Sequence, residues 1–280
     1  MAGSNGQTAP RWSAHLHMLF TELPFLERFQ AAKERGFECV ECWSPFADAI
    51  SSVATAVERA GVQLAGFNLP AGDMAAGDRG YLNVPGVRDG VMECAREALE
   101  LADRLSCSSI NALVGNQVGS DHAAERAESV TSLRQVAQLA EGHEVSILVE
   151  PLNSLDNPRY LVNTPDDAAG VIAEVDHPRV GMLFDVFQVA RMGLDPATEL
   201  RRHAATVRHI QIADAPGRHA PGSGSVDFAT FFGVASKLGY SGYVGLEYRP
   251  TDDQDTDSAL AWLPQEHRVR VDPRLVANAR

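Results

Sequence analysis

The chain has 280 residues, of which 45% are hydrophobic and 22% are charged, a balance typical of a globular protein with a sizeable core rather than a disordered chain. A formal net charge of -13 argues against a nucleic-acid binder, since such proteins usually carry a basic stripe. The sequence shows neither an apolar run long enough for a membrane span nor the apolar centre of a signal peptide, so we expect a cytoplasmic protein without a membrane partner.

Strand-like and helix-like segments alternate along the chain. The predicted strands cover residues 12–18, 38–42, 63–68, 108–113, 145–149, 180–184, 207–212 and 243–246. The predicted helices cover residues 24–35, 47–60, 87–105, 123–141, 165–174, 196–203 and 228–238, and a weaker one follows residue 253. Several helices begin with a capping residue followed by Pro or an acid, and several end in Gly, which supports these boundaries.

Eight successive strand–helix units predict an α/β fold, a single (β/α)8 TIM barrel over residues 11–263. A doubly wound open sheet is the alternative, but it needs fewer strands and usually a phosphate-binding glycine turn after the first strand. Residues 1–10 are small, polar and Gly-rich, and we expect a disordered arm there. Residues 264–280 form a more basic tail, which either covers the barrel or contacts a neighbouring subunit of a homo-oligomer.

Polar residues close four of the later apolar strands. These residues are Glu150, Asp185, Gln211 and Glu247. A carboxylate or amide at the end of a buried strand is costly unless it has a partner, and the carboxyl ends of barrel strands meet at one mouth. Their oxygen donors suit Mg²⁺ or Mn²⁺, so the four together predict a divalent metal site. For any one of them, capping of the next helix or pairing with an arginine is the alternative.

Several segments resemble the hydroxypyruvate isomerase family of xylose isomerase-like barrels. They are Met18-Leu-Phe-Thr-Glu22, Phe67-Asn-Leu-Pro-Ala-Gly-Asp73, Glu150-Pro-Leu-Asn153, Phe184-Asp185, His209-Ile-Gln-Ile-Ala-Asp214, Pro216-Gly-Arg-His219 and Glu247-Tyr-Arg-Pro250. The resemblance extends over residues 12–263 and implies an isomerase that converts hydroxypyruvate to tartronate semialdehyde through an enediolate. It also implies that all four strand-end residues hold the metal and that Glu150 and Glu247 serve as the catalytic acid/base pair.

The chain departs from the family pattern at several positions, which include Ser225, where the family often has Glu, and Phe187, where it usually has Tyr. Gln188 stands where the family usually has a histidine that donates a hydrogen bond to a substrate oxygen. His15 and His17 replace smaller polar residues and share one face of the predicted first strand. They either compensate for the missing histidine in a reshaped pocket or are hydrogen-bonded core residues. These changes affect the predicted substrate more than the predicted metal.

Other residues are candidates for binding a small-molecule substrate. Arg218 and His219 follow the seventh strand, and an arginine fork suits a substrate carboxylate. Glu41 is expected to face the pocket or to form a salt bridge inside the barrel. Asn68 and Arg79 belong to a long Gly-rich segment that is either a lid or a surface loop.

Enzymes of the same superfamily with other substrates remain alternatives, because they share proton abstraction next to a carbonyl. They include 2-oxo-tetronate isomerases, ketose 3-epimerases and keto-acid dehydratases. A metal-dependent apurinic endonuclease needs histidine-rich metal sites and a basic DNA groove, which this sequence does not suggest. A non-catalytic relative is the remaining alternative, supported by Gln188 and opposed by the intact set of four strand-end residues.

Overall fold

The computed structural model describes residues 10–46 and 50–271, and within them eight parallel strands close into a barrel in sequence order. The strands are β1 (Arg11–His15), β2 (Cys39–Glu41), β3 (Gln63–Asn68), β4 (Ser109–Asn111), β5 (Ser146–Val149), β6 (Val180–Asp185), β7 (Val207–Ile212) and β8 (Tyr243–Leu246). β8 pairs with β1, which completes the ring. The predicted TIM barrel is therefore confirmed, and the open doubly wound sheet is wrong.

Helices surround this barrel. They are α1 (Phe25–Glu34), α2 (Ile50–Ala60), α3 (Arg88–Leu105), α4 (His122–Leu139), α5 (Pro165–Val175), α6 (Val186–Arg191), α7 (Pro196–His203), α8 (Phe228–Lys237) and α9 (Thr256–Ala259). The start of α5 is a capping box, in which the hydroxyl of Thr164 accepts the Asp167 backbone N–H and the Asp167 carboxylate accepts that of Thr164. Among the described helices, none combines the length and apolar composition that crossing a membrane requires.

The end of β1 differs from the prediction. The strand stops at His15, because the N–H groups of Met18 and Leu19 both turn back to its carbonyl oxygen. His17 therefore lies in a turn, and the expectation that His15 and His17 share a strand face is wrong. The short α6, which directly follows β6, was not predicted either. Three of the predicted helix residues, 47–49, lie outside the described residues.

The main core lies between the strands and the outer helices. Trp12, on the outward side of β1, contacts Phe232 of α8 and Trp262 edge-on, with ring centroids 5.8 and 5.7 Å apart. All three rings lie in one hydrophobic core cluster or pack against it. Because aromatic side chains bury large areas, this layer contributes much of the stability of the barrel wall.

The described part of the C-terminal tail returns to the start of the chain. Arg270 pairs with Arg11 in an antiparallel bridge, and the Val271 N–H donates to the carbonyl of Pro10 over 2.8 Å. Arg268 donates to the carbonyls of Leu263 and Arg35. The described tail thus contacts the start of β1 in the same chain, and also the residue that follows α1. The arm predicted at residues 1–10 and the rest of the tail lie, apart from Pro10, outside the described residues.

Candidate active site

Three carboxylates meet at the carboxyl-terminal mouth of the barrel. Glu150 follows β5, Asp185 ends β6 and Glu247 follows β8, so the parallel strands deliver all three to the same end. One oxygen from each residue lies within 4.8 Å of the others. Their exposed fractions are 6%, 1% and 3%, so water does little to screen their mutual repulsion.

Gln211 lies on the neighbouring strand β7, where its Cα pairs with that of Asp185. Its Nε2 donates to Glu41 Oε1 over 2.8 Å. Its buried Oε1 has no hydrogen-bond partner among the described residues. A buried amide oxygen without a partner is costly, so this atom is available to a ligand. Whether Gln211 binds a metal stays a prediction.

The two oxygens of Asp185 have different surroundings. Oδ1 accepts the Phe187 backbone N–H over 2.8 Å and so caps α6. Oδ2 is buried, lacks a hydrogen-bond partner in the described part of the chain, and lies 3.5 Å from Arg218 Nη2. Helix capping and ligand binding are therefore compatible for this residue, since each function uses one oxygen.

Arg218 is the positive charge that lies among these acids. Its Nη2 donates to Glu247 Oε2 over 2.7 Å, and its guanidinium lies 4.9 Å from the centroid of the Phe187 ring. Burial lowers the pKa of Arg218, but the carboxylates of Glu247 and Asp185 outweigh burial and hold the pKa above its ordinary value. One arginine cannot neutralise three carboxylates, so full ionisation of the acids would leave the cluster with excess negative charge.

The buried acids resist ionisation in the absence of a cation. Burial, and then the charges of Glu247 and Asp185, raise the pKa of Glu150 well above its ordinary value. Burial and the charge of Glu247 raise the pKa of Asp185 to about 8. A divalent cation would relieve this repulsion, and the oxygen-only donors match the preference of hard cations. The residues therefore fit a divalent metal.

Donors and a neutral histidine surround Glu247. The indole Nε1 of Trp43 donates to Glu247 Oε1 over 2.6 Å, and His15 Nε2 lies 3.6 Å from the same oxygen. Burial lowers the pKa of His15 to about 3 and that of His17 to about 4, so both rings are neutral at pH 7. His17 stacks on Trp43, with centroids 5.5 Å apart, and so supports the indole.

A cavity of about 280 Å³ opens above the carboxylates. Six predicted site residues line it, as do Trp43 and Met74. The six are Asn68, Arg79, Glu150, Gln188, Arg218 and Glu247. Gln188 Oε1 accepts the Asn153 backbone N–H over 2.9 Å, which leaves its amide N–H groups for a ligand. Arg79 is held by Asn157, to whose Oδ1 its Nε donates over 2.8 Å.

His219 and Glu41 are among the predicted residues that do not line this cavity. His219 Nδ1 is 2.9 Å from the carbonyl oxygen of Arg249, and the residue does not line the cavity. Glu41 lies inside the barrel instead, where it lines a second, much smaller cavity with His209 and Gln211. The alternative of a salt bridge within the barrel describes Glu41 better than direct exposure to the larger cavity.

The sequence interpretation missed three residues of the site. Asn111 donates to Glu150 Oε2 over 2.7 Å, Trp43 binds Glu247, and Asn153 holds Gln188. Asn111 ends β4 as Asp185 ends β6, so a polar residue closing a strand was the available signal. Trp43 and Asn153 lie in loops, where the residue type alone does not give the direction of the side chain.

The chain is similar to known proteins over nearly its whole length. A family model described as xylose isomerase-like TIM barrel matches residues 29–266. The 2-oxo-tetronate isomerase of Cupriavidus necator is 35% identical, with 91% of this chain and 97% of that protein covered. The hydroxypyruvate isomerase of Escherichia coli is 32% identical, with 90% and 98% covered. A solved Brucella melitensis structure, titled AP endonuclease, family 2, is 33% identical with a TM-score of 0.86, covering 90% and 97%.

Proposed function

The chain belongs to the hydroxypyruvate isomerase family of xylose isomerase-like TIM barrels, and from this we propose that it is an isomerase of small hydroxy-oxo acids. The two relatives named above act, by their names, on hydroxypyruvate and on 2-oxo-tetronate. Both compounds carry a carbonyl, a hydroxyl-bearing carbon beside it and a carboxylate. The observation that carries the proposal is the convergence of three buried carboxylates at the barrel mouth.

The cofactor in this proposal is Mg²⁺ or Mn²⁺. Glu150, Asp185 and Glu247 would hold it with one oxygen each, and Gln211 would add its amide oxygen. When bound, the cation would polarise the adjacent carbonyl and hydroxyl oxygens of the substrate and stabilise the negative charge that develops on them.

Glu150 and Glu247 are the proposed acid/base pair. One carboxylate removes the proton from the carbon that bears the hydroxyl, and the other returns a proton to the former carbonyl carbon. The hydroxyl proton passes to the former carbonyl oxygen, so the product is an isomer and no atoms are gained or lost. Asn111 orients Glu150, while Trp43 and Arg218 hold one oxygen each of Glu247, so both carboxylates have fixed positions.

The cavity supports an acid as the substrate. Arg218 and Arg79 both line it, and a guanidinium fork matches a carboxylate in charge and geometry. Gln188 adds amide N–H donors for a substrate oxygen. Arg218 already pairs with Glu247, so Arg79, which donates to the Asn157 amide and to two backbone carbonyls, is the cation left for a substrate carboxylate. A neutral ketose would not use its charge, which disfavours the ketose epimerase alternative.

DNA cleavage is less compatible with the described site, although the Brucella structure carries an endonuclease title. The metal-ligating cluster found among the described residues contains three carboxylates and no histidine. The net charge of -13 also opposes binding to a phosphate backbone.

Turnover assays test the proposal. The protein is stripped with EDTA, reloaded with Mn²⁺ or Mg²⁺, and supplied with hydroxypyruvate, 2-oxo-tetronate or a neutral ketose of similar size. We expect metal-dependent turnover of at least one acid and little turnover of the ketose. Turnover of the ketose alone, or of an acid by the stripped protein at the full rate, would contradict the proposal.

A further inference from the structure

Glu41 is a buried carboxylate that reaches across the inside of the barrel. It ends β2, yet its Oε2 lies 2.9 Å from His209 Nε2 and its Oε1 accepts Gln211 Nε2 over 2.8 Å, both on β7. On its way it passes Gly245 of β8, where an added Cβ would lie 2.0 Å from Glu41 Oε1. The glycine therefore provides the space that lets Glu41 reach β7.

The contact with Glu41 decides which end of the Gln211 amide is free. An amide side chain has a donor end and an acceptor end of nearly the same shape, and rotation by half a turn exchanges them. A carboxylate accepts hydrogen bonds and cannot donate them, so Glu41 accepts only the NH2 end. The opposite end is Oε1, the buried atom without a hydrogen-bond partner among the described residues.

We propose that Glu41 is a positioning residue that turns the carbonyl oxygen of Gln211 toward the metal at the barrel mouth. The inference rests on the proposed function, since it assumes that a divalent cation binds there. Glu41 would not touch the metal or the substrate. It would act by preventing the half-turn of the Gln211 amide that would present two N–H donors to a cation.

His209 makes the effect of a substitution predictable. Because a carboxylate cannot donate, His209 must donate from Nε2 to Glu41. In Glu41→Gln the new amide keeps its oxygen toward His209 and turns its NH2 group toward Gln211. Gln211 then accepts with Oε1, and its own NH2 group faces the site.

The experiment measures Mn²⁺ affinity by titration calorimetry on the metal-stripped whole chain. We expect Glu41→Gln to weaken binding by about 10–100-fold, the usual effect of losing such an outer contact. In the background of Gln211→Glu, which offers an oxygen in either orientation, the added Glu41→Gln should not weaken binding, because its NH2 group gives the new carboxylate a donor that Glu41 lacks.

Glu125→Gln is the matched control. Glu125 is also a buried glutamate, but it accepts the Gly119 backbone N–H and the Asn83 amide and lines neither of the two cavities described above. It should bind Mn²⁺ as the wild type does. Thermal unfolding of both variants without metal separates general loss of stability from loss of metal affinity.

The outcomes distinguish this inference from the proposed function. Absence of Mn²⁺ binding by the wild type would overturn the metal site itself. Wild-type binding that Glu41→Gln leaves unchanged, or weakens equally with and without the Gln211→Glu substitution, would overturn only the role of Glu41. If the variant fails to fold, a crystal structure of the Mn²⁺-loaded wild type tests whether Glu41 orients Gln211. We expect Gln211 Oε1 on the metal and Nε2 within about 3.2 Å of Glu41, and a longer separation would contradict the inference.

Discussion

The two ends of the barrel use similar residue types for opposite purposes. At the mouth, three carboxylates face one arginine, and Asp185 Oδ2, Gln211 Oε1 and Arg218 Nε have no hydrogen-bond partner within the described residues. Each of these buried atoms reduces the stability of the fold. The mouth therefore retains polar groups that a ligand can satisfy.

At the base, charged and polar side chains satisfy one another. Arg11 donates to Gln63 Oε1 over 3.2 Å and lies 4.3 Å from the centroid of the Tyr243 ring. The Tyr243 hydroxyl donates to the same Gln63 oxygen over 2.8 Å, and the tail at Val271 closes over Pro10. The barrel is therefore stabilised at its base and wall, whereas like charges repel one another at its mouth.

The largest expected effect is on catalysis at the mouth. Glu150→Gln or Glu247→Gln should lower kcat by about 10²–10⁴-fold, because an amide keeps an oxygen for the metal but cannot accept a proton. The measurement is steady-state turnover of whichever acid the wild type isomerises. Glu38→Gln, at an exposed position at the base, is the control and should keep full activity. Retention of more than about a hundredth of the wild-type rate by either mouth variant would contradict the catalytic assignment, because a 10²-fold loss is about the lower bound of this range.

Removal of an aromatic ring from the wall should affect stability instead. Trp12→Ala should lower the free energy of unfolding by about 3–5 kcal/mol, the usual cost of emptying a large buried site. Urea unfolding measures this value. The kcat per folded molecule should stay within about twofold of the wild type, a change of about 0.4 kcal/mol in activation free energy. A large fall in kcat without loss of stability would show that wall and mouth are not separate in function.

The pH dependence of stability should reveal the repulsion at the mouth. In the unfolded chain Asp185 ionises near 3.8, whereas in the folded, metal-free protein its pKa is about 8, so the folded state holds the extra proton between these values. Stability is then fully present below pH 4 and is lost as pH rises toward 8. Between pH 5 and 8 we expect the Tm of the metal-free protein to fall by about 3 °C or more. A loss of about 1 kcal/mol in the free energy of unfolding lowers the Tm by about 2–4 °C.

Two controls test the origin of this fall. Saturating Mn²⁺ should reduce it, because the cation replaces the protons, and Asp185→Asn should reduce it without metal. A Tm slope that Asp185→Asn leaves unchanged would assign the pH dependence to other groups.

The smallest expected effect concerns substrate choice. Gln188→His should raise kcat/KM for hydroxypyruvate relative to 2-oxo-tetronate by up to about tenfold, or about 1.4 kcal/mol, because the imidazole replaces amide donors above the carboxylates. Gln63→His at the base is the control and should leave the ratio unchanged. Efficient turnover of hydroxypyruvate by the wild type, with no gain in the variant, would show that the departure at residue 188 is silent.

Local sequence patterns determined the strands and their order. The bounds predicted for β3, β7 and β8 agree with the structure, because short runs of apolar β-formers between turn residues carry the signal within the strand itself. The same runs placed Glu150, Asp185, Gln211 and Glu247 at strand ends. In a parallel barrel the carboxyl ends of all strands lie at the same mouth, so the topology alone brought the three carboxylates together.

The contacts between side chains were decided only by the tertiary structure. Asn111 on β4 holds Glu150, Trp43 beyond β2 holds Glu247, and Glu41 reaches β7 over Gly245. No local pattern contains these pairs, because the tilt and stagger of the closed barrel set which residues face each other across its interior. His219 lies against a backbone carbonyl while its neighbour Arg218 lies against the acids, a difference that their adjacent positions in the sequence do not reveal.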